Sequence, residues 1–148
     1  MNAWERLEDA LSYASAQHRH QLDKAGRPFI LHPFGVAMRL SHDPVLATIG
    51  ALHDVMEDCG VGPGTLRRRY GADVARAVTT LTRLHGEPYM EYIERCCADE
   101  LARKVKMADI ADNMARLSNL PAFEHQRLHE KYTPALKRLS QTQEAARD

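Results

Sequence analysis

Four ionisable side chains crowd into six positions of the otherwise apolar stretch Gly50-Ala51-Leu52-His53-Asp54-Val55-Met56-Glu57-Asp58, and this crowding limits the fold more than any other feature. On a helix, at about 100° per residue, His53 and Asp54 occupy adjacent lines of one surface. Glu57 lies one turn beyond His53 and Asp58 one turn beyond Asp54, so all four fall within an arc of about 140°. The opposite side carries Val45, Ile49, Leu52 and Met56 at helical spacing, an apolar stripe that requires a core. Three acids and an imidazole on such a helix lose hydration unless a metal, a partner or water satisfies them. A solvated polar face is the ordinary alternative. Here the polar side also carries Ala47, Gly50 and Ala51, which suit close packing better than exposure, and this favours a site.

The same helical period runs through the rest of the chain. Trp4, Leu7, Leu11 and Ala14 form the buried stripe of a first helix from about Ala3 to His18. A loop with Gly26 and Pro28 follows, and Phe29-Ile30-Leu31 leads to His32-Pro33, where proline suits the opening turn of a second helix ending near Ser41-His42. Asp43-Pro44 caps the third helix, which carries His53-Asp54 and continues to the glycine-rich loop after Cys59. Further helices are expected over about 65–70, 72–81, 89–97 and 100–117. One or two more cover 123–143, with Pro134 marking an interruption or a new start. No alternation long enough for a strand occurs, so the expected class is an all-α bundle of seven to eight helices.

With 148 residues the chain is expected to form one domain with a real core. Twenty basic and twenty acidic residues cancel, which gives no global support for a nucleic-acid or acidic-membrane partner. No apolar run approaches the ~20 residues of a membrane span, and the charged N-terminus does not read as a signal peptide. Adjacent Cys96 and Cys97, with Cys59 the only other cysteine, argue against a disulfide framework. A cytoplasmic location with reduced thiols is expected, and a homodimer is left open. His18 reads as a hydrogen-bonded residue of the fold, Cys96-Cys97 as core, and Arg67-Arg68-Arg69 as a solvated helix face.

A second cluster stands on the 100–117 helix. Lys106, Asp109 and Asn113 share one face at i, i+3 and i+7, separate from the apolar stripe Met107, Ile110, Met114 and Leu117. A solvated Lys–Asp pair is the bland reading. Together with His32 and His53-Asp54, Asp109 becomes a candidate fourth metal ligand. Two imidazoles and two carboxylates suit Mn²⁺, Fe²⁺ or Zn²⁺, and an oxygen-rich octahedral preference favours Mn²⁺. Such a metal makes hydroxide available near neutral pH. Glu57 and Asp58, one turn from the ligands, are placed to handle protons.

His32, the His53-Asp54 pair and Asp109 resemble the H…HD…D pattern of HD-domain phosphohydrolases. The resemblance is closer to the hydrolase domain of RelA/SpoT-type enzymes and the small alarmone hydrolases. It is carried, in order, by Gly26-Arg27-Pro28-Phe29-Ile30-Leu31-His32-Pro33, Ala51-Leu52-His53-Asp54-Val55-Met56-Glu57-Asp58 and Val105-Lys106-Met107-Ala108-Asp109-Ile110-Ala111-Asp112-Asn113, and it covers about residues 10–117. Residues 118–148 then read as a C-terminal helical extension, and no synthetase domain is expected after the hydrolase unit. The resemblance implies Mn²⁺-dependent removal of the 3′-pyrophosphate of guanosine tetra- or pentaphosphate, a small-molecule nucleotide. It implies His32, His53, Asp54 and Asp109 as metal ligands and Glu57 and Asp58 as the pair that activates water. Asn113 and Lys24 are implied as nucleotide contacts, and Lys106 is grouped with them. One departure stands out: where the family usually has Arg-Lys before the loop glycine, this chain has Asp23-Lys24. Losing a planar cation removes stacking on the base, whereas Asp23 can accept hydrogen bonds from a base amine. That pattern suits ppApp, a 3′/2′-phosphorylated dinucleotide or another nucleotide. A nucleotide-binding or antitoxin-like module without turnover is the alternative from a different class; the intact Glu57-Asp58 pair weighs against it.

Overall fold

The computed structural model describes residues 1–147, and the all-α expectation is borne out. In chain order the helices are α1 (Ala3–Gln17), α2 (Leu31–Arg39), α3 (Pro44–Leu52), α4 (Val55–Cys59) and α5 (Pro63–Tyr70). They continue with α6 (Ala72–Leu81), α7 (Tyr89–Cys97), α8 (Glu100–Ala115), a 3-10 turn at Leu117–Asn119 and α9 (Ala122–Arg147). Local chemistry sets the starts. The Asn2 side chain accepts the Glu5 N–H while the Glu5 carboxylate accepts the Asn2 N–H, a reciprocal cap on α1. The Asp43 carboxylate accepts from Val45 and Leu46 ahead of Pro44, and Asp99 accepts from Ala102 at the head of α8.

α3 is the axis of the molecule: every residue from Leu46 to Leu52 is buried, and α1, α2, α6 and α8 pack around it. The small residues expected to allow close packing do so. A Cβ on Gly50 would stand 3.1 Å from Val36 Cγ1 and 3.3 Å from the Ala37 backbone nitrogen, so α2 and α3 approach at the glycine. Cys96 and Cys97 are core, and no helix among the described residues is long and apolar enough to cross a membrane.

The structure corrects four expectations. The helix expected to run from Pro44 to Asp58 is two helices, broken at His53-Asp54. The His53 ring donates Nδ1–H to Gly50 O at 2.6 Å, taking the carbonyl to which the Asp54 N–H would donate in a continuous helix. Trp4 is 56% exposed, because the face of α1 that meets the core begins at Leu7 and Ala10. Val45, in the first turn of α3, is likewise at the edge of the core rather than inside it. Pro134 neither ends nor restarts the last helix. It lies on the exposed face of α9 with Glu130 one turn before it, so the helix loses one backbone hydrogen bond on that face, while Ala135 and Leu139 are buried.

Gly50→Val should lower unfolding free energy by about 1–3 kcal/mol, because the branched side chain forces α2 from α3. Urea denaturation followed by circular dichroism checks this; an unchanged midpoint would show that the α2–α3 contact tolerates the added volume.

Candidate metal centre

Three elements deliver ligand atoms to one point. His32 sits in the first turn of α2, His53 at the end of α3 and Asp109 on the middle of α8, and one donor atom from each lies within 4.8 Å of the others. His32 Nε2 is 2.8 Å and His53 Nε2 3.4 Å from Asp109 Oδ1. Asp54 joins from the break between α3 and α4, with Oδ2 3.0 Å from His53 Nε2 and 3.9 Å from His32 Nε2. The helix break that the sequence concealed is therefore what turns Asp54 toward the histidines.

Both rings are held from behind. Asp112 Oδ2 lies 2.8 Å from His32 Nδ1, and Gly50 O accepts from His53 Nδ1. Each ring thereby keeps a hydrogen on Nδ1 and turns Nε2 to the common point, the arrangement of supporting bonds that orients metal-ligating imidazoles. His53 Nε2 is buried and aligned for a hydrogen bond with no protein group. An orphaned buried nitrogen flanked by carboxylate oxygens fits a divalent cation. Burial alone would lower the His53 pKa, yet the charges of Asp54 and Asp109 hold it well above the ordinary imidazole value; His32 is raised against the same burial by Asp109 and Asp112. Burial likewise pushes Asp109 up, and the Lys106 ammonium with His53 brings it well below the ordinary carboxylate value. The site thus favours positive charge where the two Nε2 atoms meet.

Lys106 lies behind this centre. It is buried, its ammonium 2.7 Å from Asp109 Oδ2 and 4.9 Å from the Tyr92 ring centroid, so its charge is spent on Asp109. Asn113 donates to Asp109 Oδ1 at 3.2 Å and also lines the adjoining cavity of about 320 Å³. That cavity is walled by Asp23, Lys24, Phe29, His32 and Asp58 on one side and Tyr132 on the other. Lys24 is exposed, with Glu124 of α9 3.4 Å from its ammonium. Asp23 Oδ1 accepts the backbone N–H groups of Ala25 and Arg27 at 2.9 Å each, so it also braces its own loop. Glu57 and Asp58 project from α4 beside the ligands. Burial and the nearby Asp54 charge raise both carboxyls above their ordinary range.

The structure brings His32, His53, Asp54 and Asp109 together and sets Asp58, Asp23, Lys24 and Asn113 around the cavity, with Glu57 on a neighbouring depression. Sequence reasoning missed Asp112, which Arg116 holds at 2.6 Å, and Tyr132. The spacing Asp109, Asp112, Arg116 was a readable signal, since i, i+3 and i+7 share a helix face. Tyr132 had none, because it reaches the cavity only through the return of α9 onto α8.

Gly35 is where α2 passes the Asp112 carboxylate, and a Cβ there would collide with it. Gly35→Ala and Asp112→Asn should each weaken Mn²⁺ or Zn²⁺ binding roughly 10- to 100-fold while the helical spectrum is kept. Isothermal titration of metal checks this, and unchanged affinity in both variants would remove Asp112 from its supporting role.

The family model described as HD domain matches residues 10–127. The guanosine-3′,5′-bis(diphosphate) 3′-pyrophosphohydrolase MESH1 of Danio rerio is 31% identical over 125 residues, covering 77% of this chain and 68% of the relative. A guanosine-3′,5′-bis(diphosphate) 3′-pyrophosphohydrolase of Aquifex aeolicus is 29% identical over 126 residues; there the match takes in 76% of this chain but only 18% of the larger protein. A solved structure, described as a metazoan ortholog of SpoT that hydrolyses ppGpp, superposes with a TM-score of 0.74 over 88% of this chain and 85% of its own, at 24% identity. That superposition matches the arrangement of helices derived above. With the ligand geometry and a family match spanning most of its length, the chain belongs to the HD domain family.

Proposed function

We propose that this chain is a metal-dependent nucleotide 3′-pyrophosphohydrolase acting in the cytoplasm on a guanosine 3′,5′-bis(diphosphate)-type alarmone. The observation that carries the reading is the convergence of two imidazoles and two carboxylates beside a second carboxylate pair, of which Asp58 faces the cavity that His32 also lines. The relatives named above as 3′-pyrophosphohydrolases supply the substrate class. His32, His53, Asp54 and Asp109 would hold the metal, and the mixed nitrogen and oxygen donors favour Mn²⁺, with Fe²⁺ and Zn²⁺ as competitors. A bound divalent metal supplies Lewis acidity, polarising a phosphoryl oxygen and making a water nucleophile available near neutral pH.

The chain's own groups do the remaining work. In the proposed reaction water adds to the phosphorus next to the 3′ oxygen, the P–O3′ bond breaks, and pyrophosphate leaves. The attacking water loses a proton and the 3′ oxygen gains one. Glu57 and Asp58 are the carboxylates available for that exchange, and their raised pKa values bring them nearer the working range of a general base. Asn113 and Lys24 line the cavity where the nucleoside would lie. Glu57 borders a second depression, with Arg83, His85 and Glu87. Asp23 on the cavity wall favours a second substrate reading, ppApp.

The protein in Mn²⁺ should release pyrophosphate from ppGpp, with none released in chelator or by Asp54→Ala. Glu57→Ala or Asp58→Ala should lower kcat roughly 100- to 10,000-fold. Phosphate-product chromatography on ppGpp and ppApp reads all of these. Preference for ppApp would reassign the base pocket and keep the centre, whereas binding without turnover of either would make the chain a nucleotide-binding module.

A further inference from the structure

Asp58 is held by residues that belong to neither the metal centre nor the substrate contacts named above. Gln21 Nε2 donates to Asp58 Oδ2 at 3.1 Å, and Gln21 Oε1 stands 2.8 Å from His18 Nδ1. The direction of this chain is fixed by what each atom can do. An ionised carboxylate only accepts, so the amide must turn its NH₂ toward Asp58; the amide oxygen then faces His18 and also only accepts, so His18 must carry its hydrogen on Nδ1. In the neutral ring, His18 Nε2, buried and without a hydrogen-bond partner, is then the lone-pair nitrogen.

The fold commits several features to this geometry. His18 is 2% exposed, at the C-cap of α1, with its ring against Phe29 at a centroid distance of 4.9 Å. The Gln21 N–H returns to His18 O at 3.0 Å, a turn that places His20 at φ 70°, the left-handed region that few side chains enter. The Phe29 N–H donates to Gln21 O at 2.9 Å, so the Gln21 backbone is fixed from both sides. Cys59 Sγ, 3.4 Å from the same His18 nitrogen, fills the space beneath as a weak acceptor.

We propose that His18 and Gln21 are positioning residues: a one-way hydrogen-bond chain from His18 through Gln21 that fixes the orientation of the Asp58 carboxylate at the cavity. The inference rests on the hydrolase reading for the role of Asp58, but its geometry is testable without turnover. A carboxylate free to rotate reaches the reacting proton in fewer of its conformers, which lowers kcat more than substrate binding.

The test has two arms. In the first, ¹⁵N-edited NMR of the imidazoles in the full chain should report the Nδ1–H tautomer for His18; finding the hydrogen on Nε2 would overturn the proposal outright. In the second, kcat and KM are measured for pyrophosphate release from ppGpp in Mn²⁺. Gln21→Glu keeps the shape but turns a carboxylate oxygen toward Asp58, and His18→Leu keeps the apolar contact with Phe29 but removes the donor. Each should lower kcat roughly 10- to 100-fold, as loss of an outer supporting bond does, with KM nearly unchanged. His18→Asn, whose amide nitrogen can occupy the place of Nδ1, should recover most of the lost kcat. Equal loss in His18→Asn and His18→Leu, or full kcat in His18→Leu and Gln21→Glu, would overturn the positioning role alone. No turnover by the unmodified protein would overturn the hydrolase reading and the catalytic role of Asp58 with it.

Discussion

A single buried carboxylate ties the molecule together. Asp109 turns one oxygen to the Lys106 ammonium and the other to His32, His53 and Asn113, so α2, α3 and α8 all meet at one side chain. A carboxylate in such surroundings is strongly disfavoured unless it is paired. Lys106, itself buried, meets that requirement from behind and leaves the front oxygen for the centre. The same field acts on the imidazoles. Burial alone would lower both, and in both the neighbouring aspartates reverse the sign. Attraction for positive charge at the two Nε2 atoms is thus built into the fold by groups that lie outside the cavity.

Apolar contacts keep this charged knot in register. α3 is buried along nearly its whole length, so its C-terminal end, where His53 stands, can shift little without disturbing four neighbours. Two glycines set the approach of α2. Gly50 lets its backbone come close to α3, and Gly35 leaves room for the Asp112 carboxylate that orients His32. Neither glycine sits in a turn or at a positive φ, and what each supplies is the absence of a Cβ.

Much of this was legible in the sequence because it is local. Ile49 and Leu52 of the apolar stripe are buried in α3, Asp43-Pro44 marked its start, and the pattern of His32, His53-Asp54 and Asp109 matched residues that do converge. The break at His53 was not legible, because it depends on a ring nitrogen competing with a backbone N–H for the Gly50 carbonyl, and periodicity carries no record of that contest. Trp4 failed for a related reason: helical spacing marks the apolar face but not where a partner helix stops covering it. Lys106 looked like a group for the substrate because its face is shared with Asp109 and Asn113. Only the depth of α8 in the bundle shows that its ammonium is already paired.

The centre and the wall of the cavity are made from different parts of the chain. The ligands come from the first turn of α2, the α3–α4 break and α8, which lock together through Asp109 and its partners. Apart from His32, Asp58 and Asn113, the wall comes from the loop around 21–29, from the end of α8 with the turn after it, and from α9, which meets the loop through the contact of Lys24 with Glu124. Asp23 illustrates the separation. Its Oδ1 is bound to two N–H groups of its own loop, so replacing an arginine by this aspartate changes the loop's bracing and charge without touching any group that supports the histidines. A substitution on the wall can therefore reshape the cavity while the groups of the centre keep their places. The exception is Gln21, whose backbone belongs to the loop and whose amide holds Asp58, so a change in loop conformation that moved Gln21 would reach Asp58 through that hydrogen bond.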